Sequence, residues 1–220
     1  GSGVRAIARD TNTPGRLLAV TSERGMADLG VYESTDSGLT WALYVAIPGL
    51  NLSVLPSGDV LLASGDVVFA SNTGAVGAGL AEAIEGAFVT TAAFHPADHT
   101  RLLAATDNGR VFSTSGCTAD TSPCTWTEHE SPAAGGFALV EFGHDRRWYL
   151  SGATVDTAAR PDYQSGLWQS TDEGMTWTAA DDDLYPSRII WRLARSVHPG
   201  EMLLGLWGGG FAAVSAADGR

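Results

Sequence analysis

The sequence contains no lysine, only two cysteines and no long apolar run. All thirteen basic residues are arginine, and 25 acidic residues bring the net charge to −12. Nucleic acids and anionic membrane surfaces are bound by basic patches, so this charge argues against both as partners. No segment approaches the roughly 18 apolar residues of a membrane-spanning helix, so no membrane span is predicted. We attribute the lack of lysine to genome composition rather than to a need for arginine forks that bind carboxylates.

The two cysteines, Cys117 and Cys124, lie close together in the segment CTADTSPC. This separation suits a small loop closed by a disulfide, which stabilises the fold by roughly 2–3 kcal/mol. No histidine or further cysteine lies at zinc-like spacing, so no metal site is predicted, and no cofactor either. A disulfide indicates an oxidising compartment, and we therefore expect a secreted or periplasmic protein. No signal peptide is visible, and the opening GSG resembles an expression scar, so we expect that a natural signal was removed.

Three short phrases each recur five times along the chain. The first phrase reads VRAIARD, NLSVLP, VTTAAFHP, ALVEFGHD and IWRLARSVHP. The second reads RLLAVT, DVLLAS, RLLAAT, RWYLSG and EMLLGL, and the third reads GVYES, VVFAS, RVFST, GLWQS and GGFAA. All are rich in β-branched, aliphatic or aromatic residues and are separated by Gly, Pro, Asn and Asp. This pattern predicts short antiparallel strands joined by tight turns.

A fourth strand is predicted from TWALYVA (40–46), CTWTEHE (124–130) and TWTAADD (176–182). Four strands about every 40–45 residues is the period of a β-propeller blade. We therefore predict an all-β fold, a five-bladed β-propeller of four-stranded antiparallel blades in a single domain over residues 1–220. The predicted blades cover about 4–48, 49–87, 88–135, 136–188 and 189–220. In the second blade LAEAIEG (80–86) is expected to replace a degraded fourth strand, with one helical turn as the alternative.

The last predicted blade lacks its outer strand, because the chain ends soon after GGFAA. An unpaired edge invites pairing with another chain, so self-association through this incomplete blade is expected. The alternatives are that the blade stays three-stranded or that the sequence is a fragment of a larger propeller protein.

One octet occurs twice, as STDSGLTW (34–41) and STDEGMTW (170–177). The pattern Ser-x-Asp-x-Gly-x-Thr-Trp resembles the Asp-box, or BNR repeat, of sialidases, xyloglucanase-type glycosidases, sortilin-type receptors and photosystem assembly-factor propellers. The resemblance implies a hairpin between the third and fourth strands of a blade, on the rim away from active sites. In such a turn Asp accepts backbone hydrogen bonds, Gly takes a positive φ, and Trp packs between blades. We predict a structural role for Ser34, Asp36, Gly38, Trp41, Ser170, Asp172, Gly174 and Trp177.

Histidines occur at turns of the repeat rather than in a catalytic arrangement. His95, His144 and His198 fall where the first strand of a blade turns into the second. A repeat protein generates Ser/His/Asp combinations by chance, so no catalytic residue is predicted.

Candidate ligand-binding residues lie in three segments at the end of the blades opposite the octets. Two are long loops between second and third strands, 21–30 and 153–166, and one is the connection 180–188 that leads into IIWRLAR. Binding residues concentrate in such loops on rigid scaffolds. Aromatic, acidic and arginine side chains together suit glycan or protein recognition, although a solvated loop set is the alternative. We call the following residues the candidate rim: Arg24, Asp156, Arg160, Asp162, Tyr163, Asp181, Asp183, Tyr185, Arg188, Trp191 and Arg192.

Two further features of this region have alternative readings. The acidic run Asp181–Asp183 offers hard oxygen ligands for calcium, but no glycine-punctuated calcium loop surrounds it, so solvated charge is the preferred reading. Arg192 and Arg195 lie on a strand expected to line the channel, where either could bind an anion or bond to neighbouring strands.

Two classes of function fit the sequence. The first is a non-catalytic extracytoplasmic propeller that binds a glycan or protein partner through the candidate rim. The second is an Asp-box glycoside hydrolase, but the Phe-Arg-Ile-Pro signature and six blades of sialidases are missing. Xyloglucanase-type enzymes hold substrate between two larger propellers, and photosystem assembly factors have seven blades with a basic arginine patch. The sequence therefore favours binding over hydrolysis.

Overall fold

The computed structural model describes residues 3–21, 29–133, 136–153, 166–180, 189–196, 198, 200–206 and 210–215. These residues form five small antiparallel sheets with almost no helix. The predicted fold class, a five-bladed β-propeller whose last blade has three described strands, is confirmed. No helix in the described part of the chain is long and apolar enough to cross a membrane.

The first two blades are complete four-stranded meanders, in which strands adjacent in sequence are adjacent in the sheet. Blade one consists of β1 (Val4–Arg9), β2 (Leu17–Thr21), β3 (Val31–Ser34) and β4 (Ala42–Val45). Blade two consists of β5 (Asn51–Val54), β6 (Val60–Ala63), β7 (Val67–Ser71) and β8 (Gly74–Gly77).

The fourth strand of blade two was wrongly expected to be replaced by LAEAIEG. The segment GAVG forms β8 and pairs with β7, and the helical turn α1 (Leu80–Ala83) follows it. Glycine and alanine have weak strand propensity, so the sequence gives little sign of β8. The Asp66 carboxylate accepts the backbone N–H groups of Leu80 at 2.8 Å and Ala81 at 3.1 Å, which holds the start of α1.

The remaining three blades follow the same order of strands. Blade three consists of β9 (Val89–Phe94), β10 (Leu102–Thr106), β11 (Val111–Thr114) and β12 (Thr127–His129). Blade four consists of β13 (Phe137–Phe142), β14 (Trp148–Ala153), β15 (Gly166–Ser170) and β16 (Thr178–Ala179). Blade five consists of β17 (Ile190–Arg195), β18 (Glu201–Leu206) and β19 (Gly210–Ser215).

One backbone hydrogen bond recurs where the first strand of each blade turns into the second. The N–H donors are, in blade order, Asp10, Leu55, His95, Gly143 and Ser196, and the carbonyl acceptors are Arg16, Asp59, Arg101, Arg147 and Glu201. The five bonds measure between 2.8 and 3.2 Å. This shared bond allows equivalent positions of the five blades to be compared residue by residue.

The chain divides into two compact units. The first contains Gly1–Ala92 and Thr114–Trp126, and the second contains Ala93–Ser113 and Thr127–Arg220. The first unit has a core between blades one and two that includes Leu18, Val20, Leu52 and Leu62. The second unit has two cores. One packs blade three on blade four and includes Leu103, Val140 and Trp148. The other packs blade four on blade five and includes Leu139, Tyr149, Leu193 and Leu204.

Candidate functional site

The first octet forms the turn between β3 and β4 through its own side chains. Ser34 Oγ accepts the N–H of Gly38 at 2.8 Å and donates to Asp36 Oδ1 at 2.8 Å. Asp36 accepts the Thr40 hydroxyl at 2.6 Å and the Thr40 N–H at 2.9 Å. These bonds from Thr40, aided by Ser34, lower the pKa of Asp36 to about 2. Both carboxylate oxygens are therefore used inside the turn.

The second octet, between β15 and β16, repeats this geometry. Ser170 Oγ accepts the Gly174 N–H at 2.8 Å, and Asp172 accepts the Thr176 N–H at 2.9 Å and the Thr176 hydroxyl at 2.5 Å. The bonds from Thr176, with that from Ser170, lower the pKa of Asp172 to about 2. Gly174 has a φ of +82°, as Gly38 has +92°, so each turn requires the left-handed conformation that glycine adopts readily.

The two octets differ in the contact that their tryptophans make. The Trp41 Nε1–H donates to the Gly38 carbonyl of its own turn at 3.1 Å. The Trp177 Nε1–H donates instead to the Glu130 carbonyl at 2.8 Å, and the Trp177 ring packs against the core between blades three and four. The second tryptophan therefore links neighbouring blades, whereas the first closes a local turn.

Blade three has a disulfide-closed loop between β11 and β12, where blades one and four have an octet. Cys117 and Cys124 are bonded to each other, as predicted from their spacing. The Cys124 N–H and the Trp126 Nε1–H both donate to the Ala78 carbonyl, each at 3.0 Å. The disulfide loop is thereby anchored to the segment that follows β8.

The histidines predicted at turns make turn contacts. His95 is buried, and its Nδ1 accepts the N–H groups of Ala97 at 3.2 Å and Asp98 at 3.1 Å. Burial lowers the pKa of His95, which favours the neutral ring that this acceptor role requires. His144 Nε2 lies 2.8 Å from the Ser196 carbonyl oxygen. These contacts hold loop backbone.

Three inner strands of the second unit meet through Arg195. Its Nε lies 3.6 Å from Glu141 Oε1, and its guanidinium carbon lies 4.9 Å from the centre of the Phe94 ring. Burial raises the pKa of Glu141 to about 7, against the opposing effect of Arg195. Of the two roles considered for the strand arginines, Arg195 therefore has the interstrand one, since it contacts blades three and four from blade five.

Most of the candidate rim lies outside the described residues. This applies to Arg24, Asp156, Arg160, Asp162, Tyr163, Asp181, Asp183, Tyr185 and Arg188. Trp191 and Arg192 are described, and they lie on β17, three and four residues after the connection 180–188 ends.

Trp191 is the extra residue of a β-bulge at the start of β17. Ile190 pairs with Leu206 and Arg192 pairs with Gly205, so Trp191 has no opposite residue on β18. Bulges redirect side chains and are over-represented next to active sites. The half-buried Trp191 ring lies 5.7 Å, centre to centre, from the Phe137 ring at an interplanar angle of 51°.

Phe137 is the member of this group that sequence reasoning missed. It is the first residue of β13, so Phe137 and Trp191 both lie where the innermost strand of a blade begins. The octet turn of blade four follows β15, at the other end of the same sheet. Arg192 extends the group, since its Nη1 donates to the Trp191 carbonyl at 3.1 Å. Phe137 directly precedes the first-strand phrase ALVEFGHD, whereas Trp191 is the second residue of IWRLARSVHP, so the repeated phrase did not include Phe137.

No group of three or more potential metal-ligating side chains occurs within the described ranges. The acidic run Asp181–Asp183, considered above for calcium, lies outside them.

No protein-family model and no curated protein matches the chain. Solved structures do match in fold. YCF48 bound to D1 peptide matches 99% of this chain at 20% identity and a TM-score of 0.64. The GH74 enzyme of Niastella koreensis matches 99% at 14% identity and 0.62, and an extracellular domain of BT4673 from B. thetaiotaomicron matches 96% at 10% identity and 0.61. The chain spans 65%, 37% and 27% of these three proteins.

Proposed function

We propose that the chain is a non-catalytic, extracytoplasmic β-propeller that binds a protein or glycan partner through the candidate rim opposite the octet turns. The observation that carries this proposal is the aromatic pair of Trp191 and Phe137. The bulge in β17 directs Trp191 out of the regular ladder, and the pair stands beside the arginine Arg192.

The chemistry of this group suits recognition rather than bond cleavage. Two half-buried aromatic rings on rigid strands offer contact area at little entropic cost, and an arginine beside them adds a charged donor. Glu141, on the innermost strand β13, lies 3.6 Å from Arg195 Nε and accepts the Phe142 N–H at 2.9 Å. Neither contact arranges a carboxylate pair of the kind that glycoside hydrolysis uses.

Two further observations support the remaining parts of the proposal. The Cys117–Cys124 disulfide supports an oxidising compartment, and one matching structure is an extracellular domain. A peptide is bound in another matching structure, so we favour a protein partner that presents an extended segment over a glycan.

The test is a parallel screen of the purified chain on peptide and glycan arrays, with hydrolysis assays on every glycan that binds. We expect binding without turnover, and we expect Trp191→Ala to weaken it at least tenfold. Trp41→Ala is the matched control, because it removes a tryptophan from an octet turn and should leave binding unchanged. Thermal unfolding of both variants separates loss of binding from loss of fold.

Each arm of the screen has a distinct consequence. A peptide or a glycan as the ligand identifies the partner class, whereas turnover would replace binding by glycoside hydrolysis as the function. Binding that survives Trp191→Ala but is lost in Trp41→Ala would contradict the assignment to this end of the blades.

A further inference from the structure

Arg146 occupies a turn position that three other blades give to glycine. It directly precedes the residue whose carbonyl accepts the recurring turn hydrogen bond, and its φ is +70°. The equivalent residues of blades one, two and five are Gly15, Gly58 and Gly200, with φ values between +83° and +91°. A side chain in the left-handed region carries strain, and such strain is concentrated at functional sites. Arg146 is therefore a candidate for a role that the turn itself does not require.

The guanidinium group of Arg146 has no acidic partner in the described part of the chain. No described carboxylate, carbonyl or hydroxyl oxygen accepts a hydrogen bond from it, and its charge acts on His95. Acidic residues outnumber arginines by 25 to 13 in this chain, so partners for an arginine are plentiful. The side chain is thus strained in its turn and still not paired.

Arg195 is a second arginine whose N–H groups are not used. Its side chain is 21% exposed, and no residue in the described ranges accepts a hydrogen bond from its guanidinium group. Its Nε lies 3.6 Å from Glu141 Oε1, which is too long for a hydrogen bond, and its guanidinium group packs on the Phe94 ring. Because burial raises the pKa of Glu141 to about 7, this carboxyl group offsets the charge of Arg195 only in part near neutral pH. The interstrand role of Arg195 therefore leaves its donors available.

His95, directly after β9, relates the two arginines to each other. Its Nδ1 accepts two backbone N–H groups, so the neutral ring carries its proton on Nε2, which is buried and has no hydrogen-bond partner among the described residues. Burial is the largest cause of the lowered pKa of His95. The charges of Arg101, Arg146 and Arg195 lower it further. Blades three, four and five therefore bring positive charge to one place, around the turns between their first and second strands.

The acidic side chains near these turns are engaged by other groups. Asp98 opposes the effect of the arginines on the histidine, but its Oδ1 accepts the N–H of Thr100 at 3.2 Å and the Thr100 hydroxyl at 2.7 Å. Asp145 is paired with Arg147 at 2.8 Å. The donors of the two unpaired arginines thus remain free for an anion from outside.

We propose that Arg146 and Arg195 form a binding site for a tetrahedral oxyanion, which is phosphate or sulfate as a free ion or as a monoester. A guanidinium group offers a planar fork of N–H donors to oxygens of this kind. One fork comes from a turn of blade four and the other from the first strand of blade five. An anion with several oxygens in different directions can bond both forks, whereas the two oxygens of a carboxylate lie in one plane. Arg101, which is paired with Glu173 at 2.6 Å, adds charge without being needed as a donor.

This anion site lies at the octet end of the blades and is separate from the candidate rim. Trp148 pairs with Ser170, the first residue of the second octet, so the turn that contains Arg146 is next to that octet. Phe137 and Trp191 lie at the other end, where the inner strands begin. Variants at one end therefore test one site without altering the other.

The test follows the side-chain NMR signals of His95 through pH titrations in phosphate, sulfate or phenyl phosphate, with chloride of equal ionic strength as the screening control. A bound oxyanion offsets the arginine charges, so the pKa of His95 should rise with phosphate and sulfate and much less with chloride. Isothermal titration calorimetry gives the affinities. Phenyl phosphate that binds as tightly as phosphate would identify a monoester as the ligand, whereas binding of the inorganic ions alone would identify a free anion.

Arg146→Gly is the variant that separates binding from folding. It gives blade four the residue that blades one, two and five have at this position, so the Tm should stay the same or rise while the affinity for phosphate falls at least tenfold. The variant should also raise the pKa of His95 without phosphate, because one of the charges that lower it is gone. Arg110→Gln is the matched control, since it removes an arginine that is paired with Glu128, and it should leave the affinity for phosphate unchanged.

Three results would overturn the proposal. A His95 pKa that is the same in wild type and Arg146→Gly would show that Arg146 does not lie beside His95. An affinity for phosphate that Arg146→Gly leaves unchanged would place the anion elsewhere. A response to phosphate no larger than that to chloride, at an ionic strength of about 0.15 M, would indicate charge screening alone. Neither arginine of the site belongs to the candidate rim, so failure of this test leaves the proposed partner binding standing, and the reverse also holds.

Discussion

Glu141 on β13 and Arg195 on β17 face each other across neighbouring innermost strands, with 3.6 Å between Oε1 and Nε. The positions equivalent to Glu141 in blades one, three and five are alanines, Ala8, Ala93 and Ala194. Blade four therefore places a carboxyl group where blades one, three and five have a methyl group, and Arg195 lies beside it and against the Phe94 ring. The raised pKa of Glu141 shows that burial outweighs the arginine.

The first prediction concerns the pH dependence that Glu141 imposes. Its pKa rises from an ordinary 4.5 to about 7 on folding, so the native state binds the extra proton and stability falls as pH rises through that window. Glu141→Gln should remove this loss, about 1–3 kcal/mol in the free energy of unfolding above pH 7. Urea unfolding of wild type and Glu141→Gln at several pH values measures this difference in the free energy of unfolding.

The matched control for Glu141 is Glu128→Gln. Arg110 lowers the pKa of Glu128, so its contribution has the opposite sign and is lost as pH falls. A wild-type stability that stays level between pH 4.5 and 7 would show that Glu141 is solvated in solution.

The second prediction compares the two octet glycines. Both need a positive φ, so alanine at either position should cost about 1–2 kcal/mol. A Cβ at Gly174 would also lie 2.5 Å from the Trp148 ring, whereas the nearest atom at Gly38 is 3.5 Å away. Gly174→Ala should therefore lose a further 1–3 kcal/mol or so through overpacking. Equal losses in denaturant unfolding would contradict the packing difference.

The third prediction concerns the disulfide. The cysteines are seven residues apart, so their bond should stabilise the fold by about 2–3 kcal/mol in the chain-entropy model. The Cys117→Ser/Cys124→Ser double variant should lose that amount in chemical denaturation. Reduced wild-type protein should match the double variant, which itself should not respond to the reductant. A response of the double variant would point to an effect unrelated to the bond.

The fourth prediction concerns acid sensitivity of the octet turn. The pKa of Asp172 is lowered to about 2, so its stabilising contribution is present above about pH 4 and is lost as pH falls toward 2. Asp172→Ala should lower the Tm near neutral pH. The difference in Tm between this variant and wild type should become smaller as the pH falls from about 4 toward 2. The hydrogen bond from the Thr176 hydroxyl is the largest cause of the lowered pKa of Asp172. Thr176→Val removes this bond, so the Asp172 pKa measured by NMR should move back toward its ordinary value.

The predictable part of this protein consists of short-range features. Strand positions follow from alternating apolar phrases between turn residues, and the octets fold through bonds between residues two to four apart, such as Ser34 and Asp36. The Cys117–Cys124 loop is equally local. The exception, β8, was missed because GAVG offers no β-branched pattern beyond one valine.

The candidate site divides in the same way. Trp191 was predicted as a ligand-binding residue from its aromatic side chain and its place after a long connection. Phe137 was not predicted, because 54 residues of chain separate two rings whose centres the fold brings to 5.7 Å. The bulge at Trp191 depends on the register of β17 with β18, which no local sequence pattern predicts.

The sequence by itself determined the blades, the octet turns and the disulfide, because each depends on residues close together in the chain. Only the tertiary structure decided that Arg195 joins Glu141 and Phe94, and that the Trp191 ring meets the Phe137 ring. The reason is physical. These contacts join residues that are far apart in the chain, so they depend on which strands the fold brings together.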